Sequence, residues 1–405
     1  MNIFHYISWG IFAFSSVIYI FIIYIKKEKN SNSLNHNNKY AVLICARNEE
    51  KVIGNLLESI KLQNYPHDWL KIFVIADNCS DNTAIISRSK GAIVFERKNK
   101  VRIGKGYALD YLLNKIRKQY KEDNFDGYIV LDADNLLDKE FISEINKVFS
   151  SGCDVVTSYR NSKNFESNWI SSTSGLWFIY DSCNQKYNKK IGKTCFVSGT
   201  GFMFSKKVLK LYNGWPFHSI AEDSEFMMSN QKNNIKVLYA EKAIIYDEQP
   251  RTLSSFWNQR LRWNRGNIEI IKNNFKYYLK RNNTVFLNIP NNITISTVYT
   301  LVNFIIIIML LLLSITQHSI NYSFVLKSII LSYFMSFLVA LSTIIFEFKN
   351  INAKTIQKIS TIIMFPIMID IYVINFISSI FINNIEWKQI EHSCNKSIKN
   401  MDSKN

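Results

Sequence analysis

Long apolar runs at both ends of the chain constrain its fold most strongly. Ile3 to Ile25 contains no Asp, Glu, Lys or Arg, and further runs cover Ile293 to Thr316, Ser328 to Phe346 and Ile359 to Ile382. A helix of about 20 apolar residues is long enough to cross the roughly 30 Å hydrocarbon core of a bilayer. The sequence therefore predicts about four membrane spans, one before and three after a soluble middle.

Basic residues next to the first apolar run indicate how the chain is oriented. Lys26, Lys27 and Lys29 follow this run directly, and no small-residue cleavage site precedes them. Because short cytoplasmic flanks are enriched in Lys and Arg, we predict an uncleaved anchor whose C-terminal end faces the cytoplasm, with a cleaved signal peptide as the alternative. The expected location is the cell membrane, with several spans and a cytoplasmic middle.

The charge balance and the cysteines exclude two classes of partner. The chain has 405 residues, with 49 Lys plus Arg against 32 Asp plus Glu, which gives a net charge of +17. The basic residues are scattered rather than arranged in a stripe with aromatic residues, so we expect no nucleic-acid partner and attribute the charge to loops beside a membrane. The 6 cysteines form no Cys-x-x-Cys pair and have no neighbouring histidine cluster, so we expect no zinc site.

The middle of the chain alternates short apolar runs with helical spacing. The candidate buried strands are Tyr40 to Cys45, Lys71 to Asp77, Ala92 to Glu96 and Tyr128 to Leu131. This alternation predicts an α/β fold, with a Rossmann-like and mostly parallel sheet covered by helices on both faces. The expected segments are a transmembrane anchor (1–27), a polar linker (28–39), a cytoplasmic domain (40–250), an amphipathic interfacial region (251–285), a C-terminal region of about three transmembrane helices (286–385) and a polar tail (386–405).

Polar clusters follow three of the predicted strands. Arg47, Asn48 and Glu49 follow the first strand, Asp77 ends the second, and Asp132 to Asp134 follow the fourth. Open sheets of this class bind ligands beyond the carboxyl ends of their strands, so we expect these clusters to meet at one edge. Taken singly, an acidic strand end is more often a turn or a helix cap. Three on the same edge favour a binding site.

The sequence Asp132-Ala133-Asp134 places two carboxylates around one small residue. Mg²⁺ and Mn²⁺ prefer oxygen ligands, and one or two carboxylates commonly hold them together with substrate phosphates. The motif therefore predicts a site for a metal-bound diphosphate. Asp134 is expected to bind the metal, and Asp132 to contact the sugar-nucleotide side or a metal-bound water. For the motif taken alone, a solvated turn is the alternative.

Glu222 and Asp223 open a predicted helix that runs from Glu222 to Lys232. Acidic residues in a first turn are stabilised by the helix dipole, which is the structural alternative. The functional interpretation is that Asp223 is a general base that takes the proton of an attacking hydroxyl. No separate acid is needed, because a metal and cationic side chains can neutralise a departing diphosphate.

The motif Gln259-Arg260-Leu261-Arg262-Trp263 lies in Leu253 to Tyr278, a segment rich in both aromatic and basic residues. This composition is typical of an amphipathic helix at a membrane surface, and a role as an anchor alone is the alternative. Arg grips phosphate oxygens in a fixed geometry, and Trp offers a flat face to a sugar. The motif therefore predicts binding of a diphosphate and of an acceptor.

Two weaker signals complete the set. Lys105 stands between Gly104 and Gly106, without the spacing of a Walker motif but able to reach a nucleotide. The small residues at 198 to 201 lie in a predicted strand and turn, where a ligand can approach the backbone. A plain tight turn is the alternative.

Together these motifs resemble the membrane-embedded family 2 nucleotide-sugar glycosyltransferases of the GT-A fold, in particular the processive branch that makes cellulose, chitin, hyaluronan and poly-N-acetylglucosamine. The resemblance covers about Tyr40 to Gly266 and rests on the order Asp-x-Asp, Glu-Asp, Gln-x-x-Arg-Trp. It implies an inverting transfer from a nucleotide sugar, commonly a UDP-sugar, with Mg²⁺ or Mn²⁺ as the cofactor and Asp223 as the base. The implied donor-side residues are Ala46, Arg47, Asn48, Glu49, Asp77, Lys105, Asp132, Ala133 and Asp134. The implied acceptor-side and diphosphate-side residues are Ser198, Gly199, Thr200, Glu222, Gln259, Arg260, Arg262 and Trp263.

Some positions depart from the pattern of these relatives. Asp77 follows Ala76 where paired carboxylates are usual, which weakens the preference for uridine, and Asn135 follows Asp-x-Asp where a His is frequent. In the tail, Trp387 to His392 is similar to a motif that closes many relatives, and we assign it no role.

Three functions follow from these signals. The leading one is a polymerising β-glycosyltransferase that passes a glycan across the membrane; about four spans make a narrow channel, so a homodimer or an export partner is expected with it. The second function is the transfer of one or a few sugars to a membrane lipid. The third is a transporter with a nucleotide-sugar-binding domain, which only Asp370 in the last apolar run favours.

Overall fold

The structure, a computed structural model, describes residues 36–120, 124–280, 322–382 and 392–402. Within these residues the strands are β1 (Tyr40–Ala46), β2 (Leu70–Asp77), β3 (Ile93–Arg97), β4 (Gly127–Asp132), β5 (Leu136–Leu137), β6 (Val155–Ser162), β7 (Phe202–Ser205) and β8 (Val237–Asp247). The α-helices are α1 (Ile53–Lys61), α2 (Thr83–Ser89), α3 (Lys105–Tyr120), α4 (Phe141–Phe149), α5 (Trp169–Lys190), α6 (Lys206–Leu211), α7 (Glu222–Lys232), α8 (Leu253–Asn273), α9 (Phe275–Lys280), α10 (Tyr322–Phe346), α11 (Thr355–Phe381) and α12 (Lys399–Asp402).

The described strands form one sheet in the order β3-β2-β1-β4-β7-β6-β8-β5. The first four strands in this order are parallel to one another, as the alternation of strands and helices predicts. In the other half, β7 is antiparallel to β4 and β6, β6 is parallel to β8, and β5 is antiparallel to β8. The described sheet is thus mixed, but all its strands except β5 and β7 run in the same direction, and the prediction of a mostly parallel sheet is confirmed to that extent. The local apolar pattern marks a strand but does not encode the direction of its partner.

Both faces of the sheet are buried. Successive side chains of a strand point to opposite faces, so Ala41 and Leu43 join one apolar core with α3 and α5. Val42 and Ile44 join the second core with α1 and α4 on the other face. The prediction of helices on both faces is confirmed, and it explains why β1 reads as a continuous apolar run.

Two apolar helices, α10 and α11, follow the α/β part of the chain. Among the described residues, α11 is the one helix long and apolar enough to cross a bilayer. Helix α10 is apolar over at least Ser332–Phe346. Asp370 lies on the exposed side of α11 and does not line the cavity described below. The predicted spans at Ile3 to Ile25 and Ile293 to Thr316 lie outside the described residues. The domain boundaries stay a prediction.

The segment with the Gln-x-x-Arg-Trp motif forms α8 and α9 rather than the single helix predicted. One side of α8 packs against α11, where Asn264 Nδ2 donates to Asn375 Oδ1 at 3.1 Å and the Tyr372 hydroxyl donates to Asn264 Oδ1 at 2.7 Å. On another side, Gly266 lies against Ala221, the residue before α7. Helix α8 thus joins the apolar helices to the acidic start of α7.

Candidate active site

A cavity of about 320 Å³ opens at the carboxyl ends of β1, β2 and β4. The predicted donor-side residues that line it are Ala46, Arg47, Glu49, Asp77, Lys105, Asp132, Ala133 and Asp134. The predicted acceptor-side and diphosphate-side residues that line it are Ser198, Gly199, Glu222, Asp223, Gln259, Arg262 and Trp263. The edge at which open sheets bind ligands thus brings together residues from distant parts of the chain.

Two predicted residues lie behind the cavity wall rather than in it. Asn48 adopts a positive φ of 53°, and its Oδ1 accepts a hydrogen bond from the backbone N–H of Ser80 at 2.8 Å. Thr200 is 2% exposed, and its Oγ1 accepts from the backbone N–H of Asp132 at 2.9 Å. Both side chains therefore hold the backbone of neighbouring loops through hydrogen bonds, and neither lines the cavity.

Arg260 is a third predicted residue outside the cavity wall. Its guanidinium is buried among aromatic rings, 4.4 Å from the ring centroid of Trp263, 5.1 Å from that of Phe178 and 5.3 Å from that of Phe256. Burial lowers the pKa of Arg260 to about 10. Gln259, Arg262 and Trp263 line the cavity; they are spaced i, i+3 and i+4 and share one face of α8. Arg260 directly follows Gln259 and is therefore rotated from it by roughly 100° around the helix axis. Helical spacing therefore directs Arg260 away from the cavity that the other three motif residues line.

Lys105 lies at the centre of an acidic cluster. Its Nζ pairs with Oδ1 of Asp132 and donates to the carbonyl of Gly199 at 2.7 Å. Burial opposes the charge of Lys105, but the carboxylates of Asp132 and Glu222 outweigh it and raise the pKa of the amine. The cation stabilises carboxylates that would otherwise repel one another.

Glu222 and Asp223 begin α7, where the helix dipole favours negative charge. Burial, and after it the charge of Asp223, raises the pKa of Glu222 to about 7. Burial also raises the pKa of Asp223, whereas the backbone N–H of Ser224 and the charge of Lys105 oppose the shift. That N–H donates to Asp223 Oδ1 at 2.8 Å. A carboxylate whose pKa is raised toward neutrality is a stronger base than an ordinary one.

Asp134 lies at the floor of the cavity and is 6% exposed. Its Oδ2 accepts a hydrogen bond from the backbone N–H of Glu248 at 2.9 Å. Burial opposes the charge of Asp134, but the cations of His392 and Lys163, together with this N–H, lower its pKa. The side chain is therefore an anion near neutral pH.

The carboxylates at this edge fit a hard divalent cation. Asp132 and Asp134 provide oxygen donors at the same wall of the cavity, and Mg²⁺ commonly takes one or two carboxylates while phosphates and waters fill its other positions. Within the part of the chain that the structure describes, no group of three or more His, Cys, Asp or Glu side chains is placed to hold a metal by itself. The donor set suits a cation shared with a substrate diphosphate.

The tail adds a residue to which the sequence assigned no role. His392 lines the cavity, and its Nδ1 lies 3.0 Å from both carboxylate oxygens of Glu49. Burial opposes protonation of the ring, but the carboxylates of Asp134 and Glu49 raise the pKa of His392 to about 9. The backbone N–H of Cys394 donates to Oε2 of Glu248 at 3.0 Å and so fixes the tail next to this ring. The similarity of the tail to a motif of the relatives was the only sequence signal for this position.

One end of the cavity presents a fixed carboxylate at the end of β2. Asp77 is 6% exposed and accepts a hydrogen bond from Arg97 Nη1 at 2.6 Å. Burial raises the pKa of Asp77, and the charge of Arg97 opposes the shift. Arg47 lines the same cavity from the end of β1. This end therefore offers both an acceptor and a donor of hydrogen bonds.

Gln259, Arg262 and Trp263 close the cavity from the side of α8. Burial lowers the pKa of Arg262, although Glu222 opposes the shift. The Oε1 atom of Gln259 is buried and has no hydrogen-bond partner among the residues that the structure describes. The ring of Trp263 meets that of Phe178 edge to face, with centroids 6.0 Å apart. A cation, an amide and aromatic faces suit a diphosphate and a sugar.

Among the cavity-lining residues that the motifs did not indicate are Arg160, Phe178 and Asp247. Arg160 lies on β6, Phe178 on α5 and Asp247 at the end of β8. None of these elements was among the strands and helices predicted from apolar spacing. No local pattern marks these residues, because they come together only through the second, mixed half of the sheet.

The sequence profile described as "Glycosyltransferase like family 2" matches residues 36–266, which is more than half of the chain. The probable glycosyltransferase YdaM of Bacillus subtilis is 26% identical over 272 residues, which cover 61% of this chain and 60% of YdaM. The chain thus spans about 60% of the length of this relative.

Two relatives have names that state a product. The poly-beta-1,6-N-acetyl-D-glucosamine synthase of Staphylococcus epidermidis is 24% identical over 363 residues, covering 85% of this chain and 82% of that protein. The beta-monoglucosyldiacylglycerol synthase of a Synechocystis species is 24% identical over 232 residues, covering 56% and 47%.

A solved structure shares the fold. The mannosyltransferase PcManGT of Pyrobaculum calidifontis, in complex with GDP-Man and Mn²⁺, superposes with a TM-score of 0.51 at 13% identity, over 92% of this chain and 96% of that one. The fold is therefore GT-A-like, a mixed α/β sheet with flanking helices.

Proposed function

The chain belongs to glycosyltransferase family 2, and from this premise we propose that it transfers a sugar from a UDP-sugar, with inversion, to a growing glycan at a membrane. That it is a glycosyltransferase follows from its family. The donor, the stereochemistry, the metal and the acceptor are the parts that we propose. One observation carries them: the carboxylates of Asp134 and Asp223 and the guanidinium of Arg262 line a single cavity.

The proposed base is Asp223. An acceptor hydroxyl placed beside this carboxylate loses its proton as the oxygen attacks the anomeric carbon of the donor, and the bond to the nucleoside diphosphate breaks on the opposite side. One displacement of this kind inverts the configuration at that carbon. Burial raises the pKa of Asp223, which strengthens it as a base.

Positive charge around the cavity would stabilise the departing diphosphate. Arg262 and Lys105 line the wall next to Asp132 and Asp134, and a guanidinium can bind two phosphate oxygens at once. A divalent cation bound to Asp132 and Asp134, Mg²⁺ or Mn²⁺, would supply further charge neutralisation to the diphosphate. The orphaned Oε1 of Gln259 offers an acceptor to a hydroxyl of the bound donor or acceptor.

The nucleoside is proposed to bind between Arg47 and Asp77. Asp77 is fixed by Arg97 and faces the cavity from the end of β2. Its carboxylate can accept from a ribose hydroxyl or from a base N–H, as acidic strand ends do in open α/β sheets. Uridine is the proposed base because the motif order resembles that of enzymes that use UDP-sugars.

A glycan is the proposed acceptor, and a membrane lipid is the second candidate. The relative named as a glycan synthase matches over most of both chains, whereas the relative named as a glycolipid synthase covers about half of each. Helix α11 supports placement at a membrane, because its length and hydropathy suffice for a span. We propose a cytoplasmic orientation for the cavity, which is the side where nucleotide sugars are made available.

A panel of UDP-sugars tests the proposal. The purified full-length protein is incubated with each donor, with Mg²⁺, Mn²⁺ or EDTA, and UDP release and product mass are measured. We expect metal-dependent UDP release with one donor preferred and a ladder of products. Products of one or two sugars on lipid would favour the second candidate, and no release from any donor would refute the proposed function.

A further inference from the structure

Arg160 is held from four sides at the wall of the cavity. Its Nε donates to Asp247 Oδ2 at 2.6 Å, its Nη2 pairs with the same carboxylate, and its Nη1 donates to the carbonyl of Ser198 at 2.9 Å. The guanidinium lies 3.8 Å above the ring of Phe178. The backbone N–H of Arg160 donates to Oγ of Ser182 at 3.1 Å. The contacts of the guanidinium with Asp247, Ser198 and Phe178 fix the side chain, which is 13% exposed, in one orientation.

The loop that Arg160 holds lies against the proposed base. Gly199 has a φ of +78°, and a Cβ at this position would lie 3.5 Å from Asp223 Oδ2. At the other end of the loop, Gly201 has a φ of +65°, and a Cβ there would lie 2.5 Å from Oγ of Ser158. The backbone therefore passes between Asp223 and the sheet. A side chain at Gly201 would clash with the sheet, whereas one at Gly199 would only touch Asp223 but would be strained by the positive φ.

Consecutive carbonyls tie this loop to both sides of the cavity. The carbonyl of Ser198 accepts from Arg160, and the carbonyl of Gly199 accepts from Lys105, which also binds Asp132 on the donor side. Arg can bridge a carboxylate and a carbonyl because its planar fork carries five donors in fixed directions. The Arg160–Asp247 pair is thus the acceptor-side counterpart of the Lys105–Asp132 pair.

We propose that Arg160, fixed by Asp247, is a positioning residue of the acceptor side of this site: it holds the loop at 198–201 and the ring of Phe178 where an acceptor hydroxyl must lie to reach Asp223. This inference rests on the proposed function, because it takes Asp223 as the base. The positive charge of Arg160 is consistent with this role, because it lowers the pKa of Asp223 and so favours the anionic form that acts as the base. The ring of Phe178, which meets that of Trp263 edge to face, gives the acceptor an aromatic face on the same wall.

The test separates acceptor positioning from folding and from donor binding. Arg160→Met removes every bond to Asp247 and Ser198, whereas Arg160→Lys keeps a charge near Asp247 but lacks the fork that reaches both partners. Arg88→Met is the matched control, because Arg88 also pairs with a carboxylate, that of Glu96, but is half exposed and does not line the cavity.

Four quantities are measured on the full-length proteins: kcat and KM for the acceptor, the KM for the UDP-sugar, the Kd for UDP with Mg²⁺, and the slow hydrolysis of the UDP-sugar without acceptor. The acceptor is a short N-acetylglucosamine oligomer or diacylglycerol in detergent micelles, whichever the wild-type enzyme glycosylates. Hydrolysis uses water and UDP binding uses only the donor side, so neither needs a positioned acceptor.

We expect Arg160→Met to lower kcat/KM for the acceptor about 100-fold, Arg160→Lys to fall between it and the wild type, and Arg88→Met to match the wild type. The Kd for UDP and the rate of hydrolysis should stay within about threefold in all variants. A wild-type kcat/KM for the acceptor in Arg160→Met would overturn the inference. The inference would also be overturned if Arg160→Met and Arg160→Lys lost UDP binding as strongly as they lost sugar transfer. That result would mark Arg160 as merely structural. A wild-type protein that uses no UDP-sugar would instead refute the proposed function itself.

Discussion

Replacing Gly266 by alanine tests whether the spacing of α7 and α8 sets the geometry of the site. A Cβ at Gly266 would lie 2.7 Å from the Cβ of Ala221 and 3.2 Å from its backbone nitrogen. Carbon atoms in contact prefer a separation of about 3.5–4.0 Å, so the two helices must move apart by roughly 1 Å. The methyl group of Ala221 has no rotamer that avoids the clash, and the backbone must therefore shift.

This shift would act directly on the proposed chemistry, because α7 carries Asp223 and α8 carries Arg262. A displacement of about 1 Å between catalytic groups costs on the order of 100-fold in rate. Overpacking costs about 1–3 kcal/mol of stability, and the exchange of Gly for Ala inside a helix returns up to about 1 kcal/mol. We therefore expect Gly266→Ala to fold with a modest loss of Tm and to lose about 100-fold in kcat.

The assay is UDP release by the purified protein, with a thermal melt on the same sample. The double variant Gly266→Ala with Ala221→Gly removes the 2.7 Å contact and should regain most of the lost activity. Gly54→Ala is the matched control in α1, because its Cβ would meet Ile86 at an ordinary 3.6 Å. Wild-type kcat in the single variant, or a double variant as inactive as the single one, would refute the reasoning.

The remaining predictions concern pH, the metal and the tail. The pKa of Glu222 is about 7 in the folded protein against an ordinary 4.5, so the folded state holds this proton more tightly and its stability falls as pH rises from about 4.5 through 7. Glu222→Gln should therefore raise Tm at pH 8 and not at pH 4, and an equal effect at both would contradict the assignment. EDTA should abolish UDP release, and Asp134→Asn should require more Mg²⁺ or Mn²⁺ for half-maximal rate; an unchanged metal dependence would exclude Asp134 as a ligand. His392→Ala should raise the KM for the UDP-sugar several-fold and also lower Tm, because it leaves the mostly buried carboxylate of Glu49 without its partner; an unchanged KM would remove the tail from the donor site.

The first half of the sheet follows from local patterns. Each of its strands is a short apolar run buried on both faces, and the polar residues after these runs meet at one edge because parallel strands end together. Asp77 and Asp132 could be assigned to this edge from sequence for that reason. The helix at Glu222–Lys232 also agrees with the sequence, since acidic residues at its start mark the helix boundary.

The second half of the site depends on long-range pairing that local patterns do not carry. Arg160 and Asp247 meet because β6 and β8 are parallel neighbours in the sheet, and neither strand shows a distinctive motif. His392 reaches Glu49 across 343 positions of sequence. Arg260 shares a motif with Arg262 but lies on a different face of α8, so the motif alone assigns too many residues to the cavity. Helical spacing, applied to the sequence alone, would have separated Arg260 from the motif residues that line the cavity.

Replacement of the proposed base by an amide tests the account most directly. Asp223→Asn keeps the shape of the side chain and removes its ability to take a proton, while the donor side of the cavity is left unchanged. UDP affinity with Mg²⁺ and sugar transfer are measured on the same preparation. The account predicts wild-type UDP affinity and a loss of about 10²–10⁴ in transfer rate. Transfer at the wild-type rate in Asp223→Asn would contradict it.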